Sequence, residues 1–595
     1  MPEIREILMK PETRGAMRAG LYQMRPGIVA RALVKAVGAV GFNRDKFAKA
    51  VLTSIWEVLG DREAIICDDT RITFKQFRDR SLRLANGLRD LGLEPGDRFA
   101  ELLYNGPEWF ECMGAGGLAG CSMPMLNWHL RSKELVECIN KSHAKAVVFD
   151  SSFLEIILEN KDKFEQAEHL IMVGGDEVPE GVISYEELIA HSSDYIPDGD
   201  FRPAPAPFSG GTTGTPKFLN VDEMSEVFGD SDEKRRGASK REVAALGLMH
   251  ASALHFYKVG KIRDPYTKNI RSLIPGPLYH AGVQVGVLPF FLGGTVVPMR
   301  KFTPEGFLAL IEKERINWTF VAPTMLERIL ALPDEVKSKY NLSSMVSLIC
   351  AAAPCPPAVK KEINELFKRQ GAKAGVFHEY YGASETGLVT ILAPEDYEEK
   401  EERYNSVGKI RASECKIYDL DNNTWAEVGK EGKVLVRSPM TLGLQYQGQK
   451  DKTEEAFIHI DGKAWYDDGL IGYVDEDDFL YLTSRAKEMI ISGGVNVFPN
   501  EIEHVIKLHP KVFDVAVIRA PDPDLGEVAA AVIQLKKEES LTQDEVLQFC
   551  KDEGLYGFKM PKIVDFEEEL PRQLSGKLIK RVLEERYWEG VEKHG

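Results

Sequence analysis

The chain has 595 residues, of which 44% are hydrophobic and 28% are charged. That length suggests about four units of roughly 150 residues, and the composition excludes a disordered or fibrous protein. The formal net charge of −17 argues against a nucleic-acid partner, because an acidic protein repels phosphate backbones.

The first fifty residues differ from the rest of the chain in charge. Residues 1–50 contain ten Lys and Arg against four Asp and Glu, a local charge of +6. Within them, residues 27–42 place apolar side chains at helical spacing, interrupted by Arg31 and Lys35. This pattern predicts a helix that packs on its own protein, which is the simpler interpretation, or one that lies on an anionic membrane surface.

The sequence contains no run of 18 strongly apolar residues, no signal-peptide pattern and no targeting tripeptide at its end. Its eight cysteines are scattered without a C-x-x-C pair, which fits a reducing compartment and argues against a zinc site. We therefore expect a cytoplasmic protein. Two further possibilities stay open: peripheral contact with a membrane through residues 1–50, and assembly into a homodimer.

From Trp56 onward, short β-branched or aliphatic runs alternate with longer helical patterns, which predicts parallel or mixed sheets covered by helices. After Asn405 the runs become short strands between polar turns, and after Arg485 about 110 residues have their own strand and helix patterns. The sequence therefore predicts an α/β fold with a large N-terminal body, a β-rich subdomain of that body, and a small α+β C-terminal domain joined by a hinge. The predicted regions are 1–54 (basic extension), 55–404 (N-terminal α/β body), 405–486 (β-rich subdomain) and 487–595 (mobile C-terminal domain).

Residues 208–217 are rich in groups that bind phosphate. They combine glycines, hydroxyl side chains and Lys217, and such a loop can close over a polyphosphate while the lysine adds a positive charge. Pro216 precedes the lysine, so the segment is not a Walker A loop. Taken alone, the segment also fits a plain surface turn.

A charged insertion follows this loop. Residues 222–242 carry twelve charges in twenty-one residues, which predicts a solvated helix or a surface insertion without an assigned function.

Six further motifs follow in order along the chain, at residues 277–280, 351–354, 381–385, 475–487, 493–503 and 571–577. Together with the loop at 208–217, they resemble the motifs of the adenylate-forming superfamily, which includes acyl-CoA synthetases, peptide-synthetase adenylation domains and firefly luciferases. The resemblance covers about residues 55–585. It implies an AMP-dependent acyl-CoA synthetase of the fatty-acid or aryl-CoA ligase type.

The implied reaction joins a carboxylic acid to AMP with release of pyrophosphate, and then transfers the acyl group to coenzyme A. A carboxylate is a poor electrophile, and the first step brings it against an anionic α-phosphate. Catalysis must therefore consist mainly of charge neutralisation and positioning. ATP, Mg²⁺ and coenzyme A are the implied cofactors.

The resemblance also implies a role for each motif. Lys577 would neutralise charge, Glu385 would bind Mg²⁺, Ser384 would donate its hydroxyl to the α-phosphate, and His280 would border the acyl pocket. The remaining implied nucleotide- and coenzyme-binding positions are Ser209, Gly210, Gly211, Thr212, Thr213, Gly214 and Lys217 at the phosphates, Ala352, Ala353, Pro354, Tyr381 and Gly382 at the base, Asp468 and Arg485 near the ribose, Lys487 at the hinge, and Gly493 and Gly494 along the pantetheine passage. An ordinary turn between two strands is the alternative interpretation of the two glycines.

One position departs from the pattern. Leu470 stands where the family usually has an aspartate that accepts hydrogen bonds from both ribose hydroxyls. Losing such charge-assisted bonds costs on the order of 1.5–3 kcal/mol, so we expect weaker nucleotide binding unless Asp467 or Asp468 compensates.

The acyl group is predicted from the segment after His280. Gly282 and Gly286 lie four residues apart among Val, Leu and Phe, which leaves apolar room for a substrate or serves tight helix packing. We expect a hydrophobic acid, whether fatty, alicyclic or aryl, rather than acetate or an amino acid. Two alternatives stay open: transfer of the acyl group to an amine or carrier protein, and a catalytically impaired homologue that binds nucleotide or acyl groups.

Overall fold

The computed structural model describes residues 14, 26–41, 43–199, 201–202, 205–206, 208–209, 217–218, 236–258, 269–280, 285–353, 355–419, 422–446, 450–485, 488, 490–492, 495–497, 499–572 and 578–589. The chain divides into two compact units. The first comprises Met1–Tyr404, Ile410–Glu414 and Arg437–Tyr466, and the second comprises Asn405–Lys409, Cys415–Val436 and Asp467–Gly595. The four predicted regions stay predictions.

The helices are Pro26–Val40 (α1), Arg44–Leu59 (α2), Phe74–Asp90 (α3), Pro107–Ala119 (α4), Ser132–Ser142 (α5), Leu154–Asn160 (α6), Tyr185–His191 (α7), Lys240–Phe256 (α8), Leu288–Phe291 (α9), Pro304–Glu314 (α10), Pro323–Leu330 (α11), Asp334–Lys337 (α12), Pro357–Arg369 (α13), Pro394–Glu399 (α14), Pro439–Leu442 (α15), Lys450–Glu455 (α16), Pro499–Lys507 (α17), Gln543–Asp552 (α18) and Lys580–Tyr587 (α19). Several begin at a residue that caps the free amide groups of the first turn. Thr73, Ser239 and Thr542 each form a capping box with the third helical residue.

The strands of the first half are Glu63–Cys67 (β1), Thr70–Thr73 (β2), Phe99–Leu102 (β3), Met123–Pro124 (β4), Ala146–Asp150 (β5), His169–Val173 (β6), Ile183–Ser184 (β7), Pro205–Ala206 (β8), Phe208–Ser209 (β9), Lys217–Phe218 (β10), Arg271–Ile274 (β11), Thr295–Pro298 (β12), Trp318–Val321 (β13), Ser347–Cys350 (β14) and Phe377–Glu379 (β15).

The later strands are Gly382–Ala383 (β16), Gly387–Leu388 (β17), Thr390–Ile391 (β18), Lys409–Ile410 (β19), Glu414–Asp419 (β20), Thr424–Trp425 (β21), Gly432–Arg437 (β22), Phe457–Ile460 (β23), Lys463–Val474 (β24), Leu480–Arg485 (β25), Ile490–Ser492 (β26), Val495–Val497 (β27), Val512–Asp522 (β28), Gly526–Leu535 (β29) and Ile563–Glu567 (β30).

The first unit is built on two mainly parallel sheets. The larger has seven strands in the order β15-β14-β13-β11-β12-β1-β2, of which only the edge strand β2 is antiparallel. The smaller has the order β3-β5-β6-β7 and is parallel throughout. Strands β11 to β14 are buried at every residue, as expected for a parallel sheet covered on both faces by helices.

The second unit contains short antiparallel strands and a compact α+β part. Strands β21, β20, β22 and β24 lie side by side, and β25 pairs antiparallel with the end of β24. Further along the chain, β27, β26, β29 and β28 form a sheet in that order, with β30 parallel to β29. Apolar residues of α17 and α18 lie in one hydrophobic core with this sheet.

The helix predicted within residues 27–42 forms as α1. Ile28, Ala32 and Ala36 share its buried face, so it packs on its own protein as the simpler interpretation predicted. The opposite face exposes Leu33 and Val34, which are 40% and 74% exposed. Membrane contact stays a prediction. Among the described helices, none is long and apolar enough to cross a membrane.

A carboxyl group is fully buried in the smaller parallel sheet of the first unit. Glu101 lies in β3 and is 1% exposed, and its Oε1 accepts a hydrogen bond of 2.7 Å from the backbone N–H of Leu103. Burial raises the pKa of Glu101 well above its ordinary value, although this hydrogen bond lowers it. The protein therefore holds a proton on Glu101 more tightly than the unfolded chain does.

The free energy of unfolding of the Glu101→Gln variant, relative to that of the wild type, should increase as the pH rises. The stability contributed by the protonated carboxyl is complete below the unfolded-state pKa and is lost as the pH rises toward the folded-state pKa, whereas Gln does not titrate. The difference in unfolding free energy between the variant and the wild type changes by at most about 1.4 kcal/mol per pH unit. Urea unfolding of both proteins between about pH 5 and pH 8 measures it.

Glu177→Gln makes the same replacement at an exposed position and provides the matched control for the substitution itself. A pH-independent difference for Glu101→Gln would contradict the raised pKa.

Candidate active site

Three of the predicted motifs begin at one edge of the seven-stranded sheet. Strand β11 leads to His280, β14 leads to Ala352 and Ala353, and β15 leads to Tyr381. Because β15, β14, β13 and β11 are successive parallel neighbours, their carboxyl ends lie at the same edge. This is the edge at which α/β proteins bind ligands. The structure thus brings together motifs that are a hundred residues apart in the sequence.

Ser384 and Glu385 lie in the turn of a short hairpin that continues from β15. Strands β16 and β17 pair antiparallel, and residues 384–386 connect them. Both side chains are half-buried, while the third residue of the turn, Thr386, is fully buried. The hairpin therefore holds a hydroxyl and a carboxylate at a tip just beyond the sheet edge.

Thr386 supports this turn and was missed by the sequence interpretation. Its Oγ1 accepts a hydrogen bond of 2.8 Å from the N–H of Ala383 and donates one of 3.1 Å to the carbonyl of Gly387. The signal was present, because a threonine directly after Ser384 and Glu385 can bond back to the backbone. The buried hydroxyl fixes the turn that carries the two predicted site residues.

Gly382 is required by the hairpin itself. A Cβ added there would overlap the carbonyl oxygen of Gly387 on the paired strand. Gly387 has a φ of +63°, and a Cβ there would lie 2.7 Å from Cε1 of His250, a residue of α8. Burial lowers the pKa of His250, although a backbone hydrogen bond at Ala412 opposes this, so burial favours the neutral ring. The sequence interpretation gave Gly382 a ligand role, which stays a prediction beside this packing reason.

The Glu385 carboxylate is supported from one side. Tyr446 donates a hydrogen bond of 3.2 Å from its hydroxyl to Oε1 of Glu385. Tyr446 is 6% exposed, and its backbone N–H donates to Oγ1 of Thr453 at 3.1 Å. A carboxylate oxygen carries more than one acceptor position, so the bond from Tyr446 does not by itself exclude a further ligand on Glu385.

These residues fit a magnesium ion shared with a substrate. Mg²⁺ prefers oxygen ligands and is commonly held by one or two carboxylates together with substrate phosphates. Glu385 offers such a carboxylate at a half-buried tip. Within the described part of the chain, no group of three or more His, Cys, Asp or Glu residues forms an all-protein metal site.

The stretch predicted to face the adenine has an unusual backbone. Ala352 has a φ of +77°, in the left-handed region that a residue with a Cβ rarely occupies, and both Ala352 and Ala353 are exposed. Such a conformation costs on the order of 1–3 kcal/mol and persists where the surrounding structure imposes it, frequently near ligands.

The segment that ends at His280 is anchored by a buried amide. Asn105 donates to the carbonyls of Gly276 at 2.7 Å and Met299 at 3.0 Å, and it accepts from the N–H of Leu278 at 2.9 Å. His280 is half-buried. Asn105 was also missed, because nothing in its local sequence reveals a contact with residues 170 positions away.

An aromatic cluster adjoins His280. The ring centroid of His280 lies 4.5 Å from that of Tyr279. The Tyr279 ring in turn packs edge to face against Trp128, with a centroid distance of 5.0 Å. Tyr104 lies 5.1 Å from Trp128. Burial raises the pKa of Tyr279 well above its ordinary value, which matches its apolar surroundings.

The nearby Gly286 has room for a Cβ at ordinary van der Waals distances. A Cβ on Gly286 would meet Ile274 at 3.4 Å and Phe320 at 3.6 Å, so this glycine packs against β11 and β13. Gly282 lies outside the described residues, and the role of the pair stays a prediction.

The ends of the predicted phosphate loop are paired. Ser209 in β9 and Lys217 in β10 are opposite each other in an antiparallel ribbon. Residues 210–216 lie outside the described residues. The ribbon brings the two predicted binding positions at the ends of the loop close together.

In the second unit, Leu470, which replaces the usual ribose-binding aspartate, is a neighbour of Arg485, the other residue predicted to lie near the ribose. Leu470 and Arg485 are opposite each other in the antiparallel pair of β24 and β25. Asp467 is already engaged, since its carboxylate accepts from Lys433 at 2.7 Å and from the N–H of Gly469 at 2.9 Å.

The glycines predicted to line the pantetheine passage, Gly493 and Gly494, lie outside the described residues. The residues that flank them, Ser492 and Val495, are paired across β26 and β27. A two-residue hairpin connection favours glycine by itself, so the turn interpretation needs no ligand. Ser492 also lines a cavity of about 210 Å³ together with Leu525, Val528, Gly557, Phe558, Met560 and Lys562.

Other predicted residues lie outside the described part of the chain. They are Gly210, Gly211, Thr212, Thr213, Gly214, Pro354, Lys487 and Lys577. Their roles stay predictions.

Comparison with known families identifies the chain. Residues 53–223 and 244–446, more than half of the sequence, match the family model described as AMP-binding enzyme. Residues 501–577 match the AMP-binding enzyme C-terminal domain. The chain belongs to the AMP-binding enzyme family. This confirms the family and the α/β fold class predicted from the motifs.

Known proteins resemble this AMP-binding enzyme over most of their length. The mitochondrial medium-chain acyl-CoA ligase of Homo sapiens is 29% identical over 560 residues, 88% of this chain and 85% of that protein. The crystal structure of ATP-bound MatB from Rhodopseudomonas palustris is 25% identical, covers 89% of this chain and 96% of its own, and has a TM-score of 0.72. The amide bond synthetase McbA from Marinactinospora thermotolerans is 25% identical, covers 90% and 98%, and has a TM-score of 0.71.

The predicted enzyme class is confirmed as well. The family model together with relatives that are acyl-CoA ligases identifies this AMP-binding enzyme as an AMP-forming acid–thiol ligase.

Replacing Thr386 by Val should loosen the hairpin and weaken nucleotide binding. The variant keeps the side-chain volume but leaves the part-buried N–H of Ala383 without its acceptor, which costs about 1–3 kcal/mol of unfolding free energy. Thr386→Ser is the matched control, because it retains the hydroxyl and loses one methyl group worth about 1 kcal/mol. Calorimetric titration with ATP should show weaker binding for the Val variant alone. Equal ATP affinities in the two variants would contradict the role given to the hydroxyl.

Proposed function

We propose that this acid–thiol ligase activates a hydrophobic carboxylic acid, whether fatty, alicyclic or aryl, to an acyl-adenylate and transfers the acyl group to coenzyme A. The observation that carries the proposal is the convergence of three motifs at the carboxyl edge of the large sheet, beside the hairpin of Ser384 and Glu385. The name of the human relative, a medium-chain acyl-CoA ligase, supports the choice of a hydrophobic acid.

The residues of the first unit suit the chemistry of the first step. A carboxylate and a triphosphate repel each other, so the site must offer positive charge and hydrogen-bond donors where the two meet. The Ser384 hydroxyl at the hairpin tip is such a donor, and we assign it to the α-phosphate. Glu385 would hold Mg²⁺, which supplies positive charge to the phosphate oxygens when bound.

The acyl group would lie against the apolar surroundings of His280. Tyr279 and Trp128 form aromatic surface next to it, and Asn105 fixes the backbone that presents it. A mostly apolar wall with few polar groups is the usual form of a site for a hydrophobic ligand. We therefore assign His280 to the border between the acyl chain and the reacting carboxylate.

An amine is the second candidate for the acceptor. The similarity to an amide bond synthetase favours it, because that protein shares the fold and 25% of the residues. The roles of Lys577, Lys217 and Arg485 are the same for both acceptors, so the first half-reaction does not separate them.

A pyrophosphate-release screen over a panel of carboxylic acids, with and without coenzyme A, should identify the substrate class. We expect release with medium-chain and aryl acids, little release with acetate, and thioester formation only when coenzyme A is present. Lys577→Ala is the control variant and should abolish adenylate formation but leave thioester formation from a supplied acyl-adenylate largely intact. Turnover with amines and none with coenzyme A would establish the second candidate, and no release with any acid would refute the proposed activity.

Replacing Leu470 by Asp should raise the affinity for ATP and AMP. The new carboxylate would accept hydrogen bonds from the ribose, a gain of about 1.5–3 kcal/mol or roughly tenfold to a hundredfold. Leu470→Asn is the control, because an amide can accept hydrogen bonds without the negative charge. Calorimetric titration with AMP measures the change. If Asp468 already makes this contact, Asp468→Asn in the wild type lowers the affinity and Leu470→Asp adds nothing, which would contradict the interpretation of Leu470.

A further inference from the structure

The charged insertion contains a largely buried arginine side chain, that of Arg236. The family model matches residues 53–223 and 244–446, so Arg236 lies in a stretch that this model does not match. Its side chain is only 10% exposed, although the segment was predicted to be solvated. A charged residue is buried in this way where its partners are specific. The contacts of Arg236 therefore hold this part of the insertion in one position.

Arg236 holds three groups of the first unit at once. One nitrogen, Nη1, is 2.9 Å from Oε1 of Glu454, and Nη2 donates to the carbonyl of Leu444 at 3.0 Å. Its guanidinium also lies 3.9 Å from the ring centroid of Phe457. The planar group of an arginine suits such combined contacts, which a lysine cannot reproduce.

These partners surround the residue that supports Glu385. Leu444 is two residues before Tyr446, and Leu444, Tyr446 and Phe457 belong to one hydrophobic cluster. Tyr446 donates its hydroxyl hydrogen bond of 3.2 Å to Glu385. A continuous chain of contacts thus runs from Arg236 through Leu444 and Tyr446 to the carboxylate assigned to Mg²⁺.

The helix that begins within the last residues of the insertion, α8, reaches the same hairpin. Ser239 caps α8, and Glu242 in its first turn lies 3.9 Å from Arg437 and 3.8 Å from Lys463. Further along α8, His250 packs against Gly387 in the hairpin. The insertion is therefore connected to the hairpin that carries Glu385 through helix α8 as well as through Arg236.

We propose that Arg236 is a positioning residue, which fixes the segment of Leu444 and Tyr446 so that the Tyr446 hydroxyl orients the Glu385 carboxylate for the divalent cation. The inference rests on the proposed role of Glu385 as the magnesium ligand. It assigns to the insertion a contribution to metal-dependent ATP binding that the family motifs do not contain.

The test is a double-mutant cycle that measures how pyrophosphate release depends on the Mg²⁺ concentration. Tyr446→Phe removes only the hydroxyl and should raise the Mg²⁺ concentration for half-maximal pyrophosphate release about tenfold, the effect of one hydrogen bond to a carboxylate. Arg236→Met should raise it about threefold. If the two residues act along one chain, the double variant should resemble Tyr446→Phe rather than the product of both effects.

A second readout does not depend on turnover. Calorimetric titration with ATP should show the same loss of affinity in Mg²⁺ and no loss in EDTA, because the variants leave the direct phosphate contacts in place. Arg328→Met, at an exposed arginine of α11, is the matched control and should leave both readouts unchanged. Should Arg236→Met fold poorly, Arg236→Lys keeps the charge but loses the combined contacts, and the same increase in the Mg²⁺ requirement is expected.

Different outcomes separate this inference from the proposed function. Additive effects in the cycle, or a lower melting temperature without a change in the Mg²⁺ requirement, would overturn the positioning role. ATP binding and pyrophosphate release that do not depend on Mg²⁺ in the wild type would instead refute the metal role of Glu385.

Discussion

The close approach of two backbone segments at Gly382 and Gly387 is the constraint on which the candidate site depends. The carbonyl of Gly387 occupies the space that a Cβ at position 382 would need, so the chain can fold back directly after the last parallel strand. This reversal leaves Ser384 and Glu385 at the tip, and the buried hydroxyl of Thr386 closes the turn from inside. Without that approach, the hydroxyl and the carboxylate would not be presented at the sheet edge.

Buried charge stabilises the strand that leads into this hairpin. Glu379, the last residue of β15, forms an ion pair with Lys360, and both side chains are 2% exposed. Burial raises the pKa of Glu379, and the lysine opposes that rise. Lys360 also donates a hydrogen bond of 2.8 Å to the carbonyl of Tyr404. A buried pair of this kind adds little net stability but penalises any arrangement that separates it, which favours one position for the end of β15.

The insertion shows how a fold can take up extra sequence beside a site. A run of twelve charges in twenty-one residues predicts a solvated surface, and the family model is interrupted over nearly the same stretch. Yet Arg236 is buried against Phe457 and Glu454, and Ser239 begins the helix that reaches the hairpin. The insertion is therefore joined to the structure around Glu385 through its last residues.

The sequence by itself predicted the family and the α/β class, which are confirmed, and it proposed most of the candidate site residues, whose roles stay predictions. It could do so because phosphate-binding loops and the turns after parallel strands need particular residue types at fixed local spacing. It also identified Leu470 as a departure, since that comparison needs only the order of neighbouring residues. Roles of residues such as Thr386 were visible locally but were overlooked.

Only the tertiary structure decided which distant groups support these residues. Asn105, Tyr446 and Arg236 reach the site from segments far away in the chain, and no local pattern encodes such a contact. The structure also gave Gly382 a packing reason, because the carbonyl of Gly387 on the paired strand occupies the space of a Cβ, and it showed a left-handed backbone at Ala352. The residues of a motif can be identified from their order in the sequence. The residues that position the motif depend on which parts of the chain the parallel sheet brings side by side.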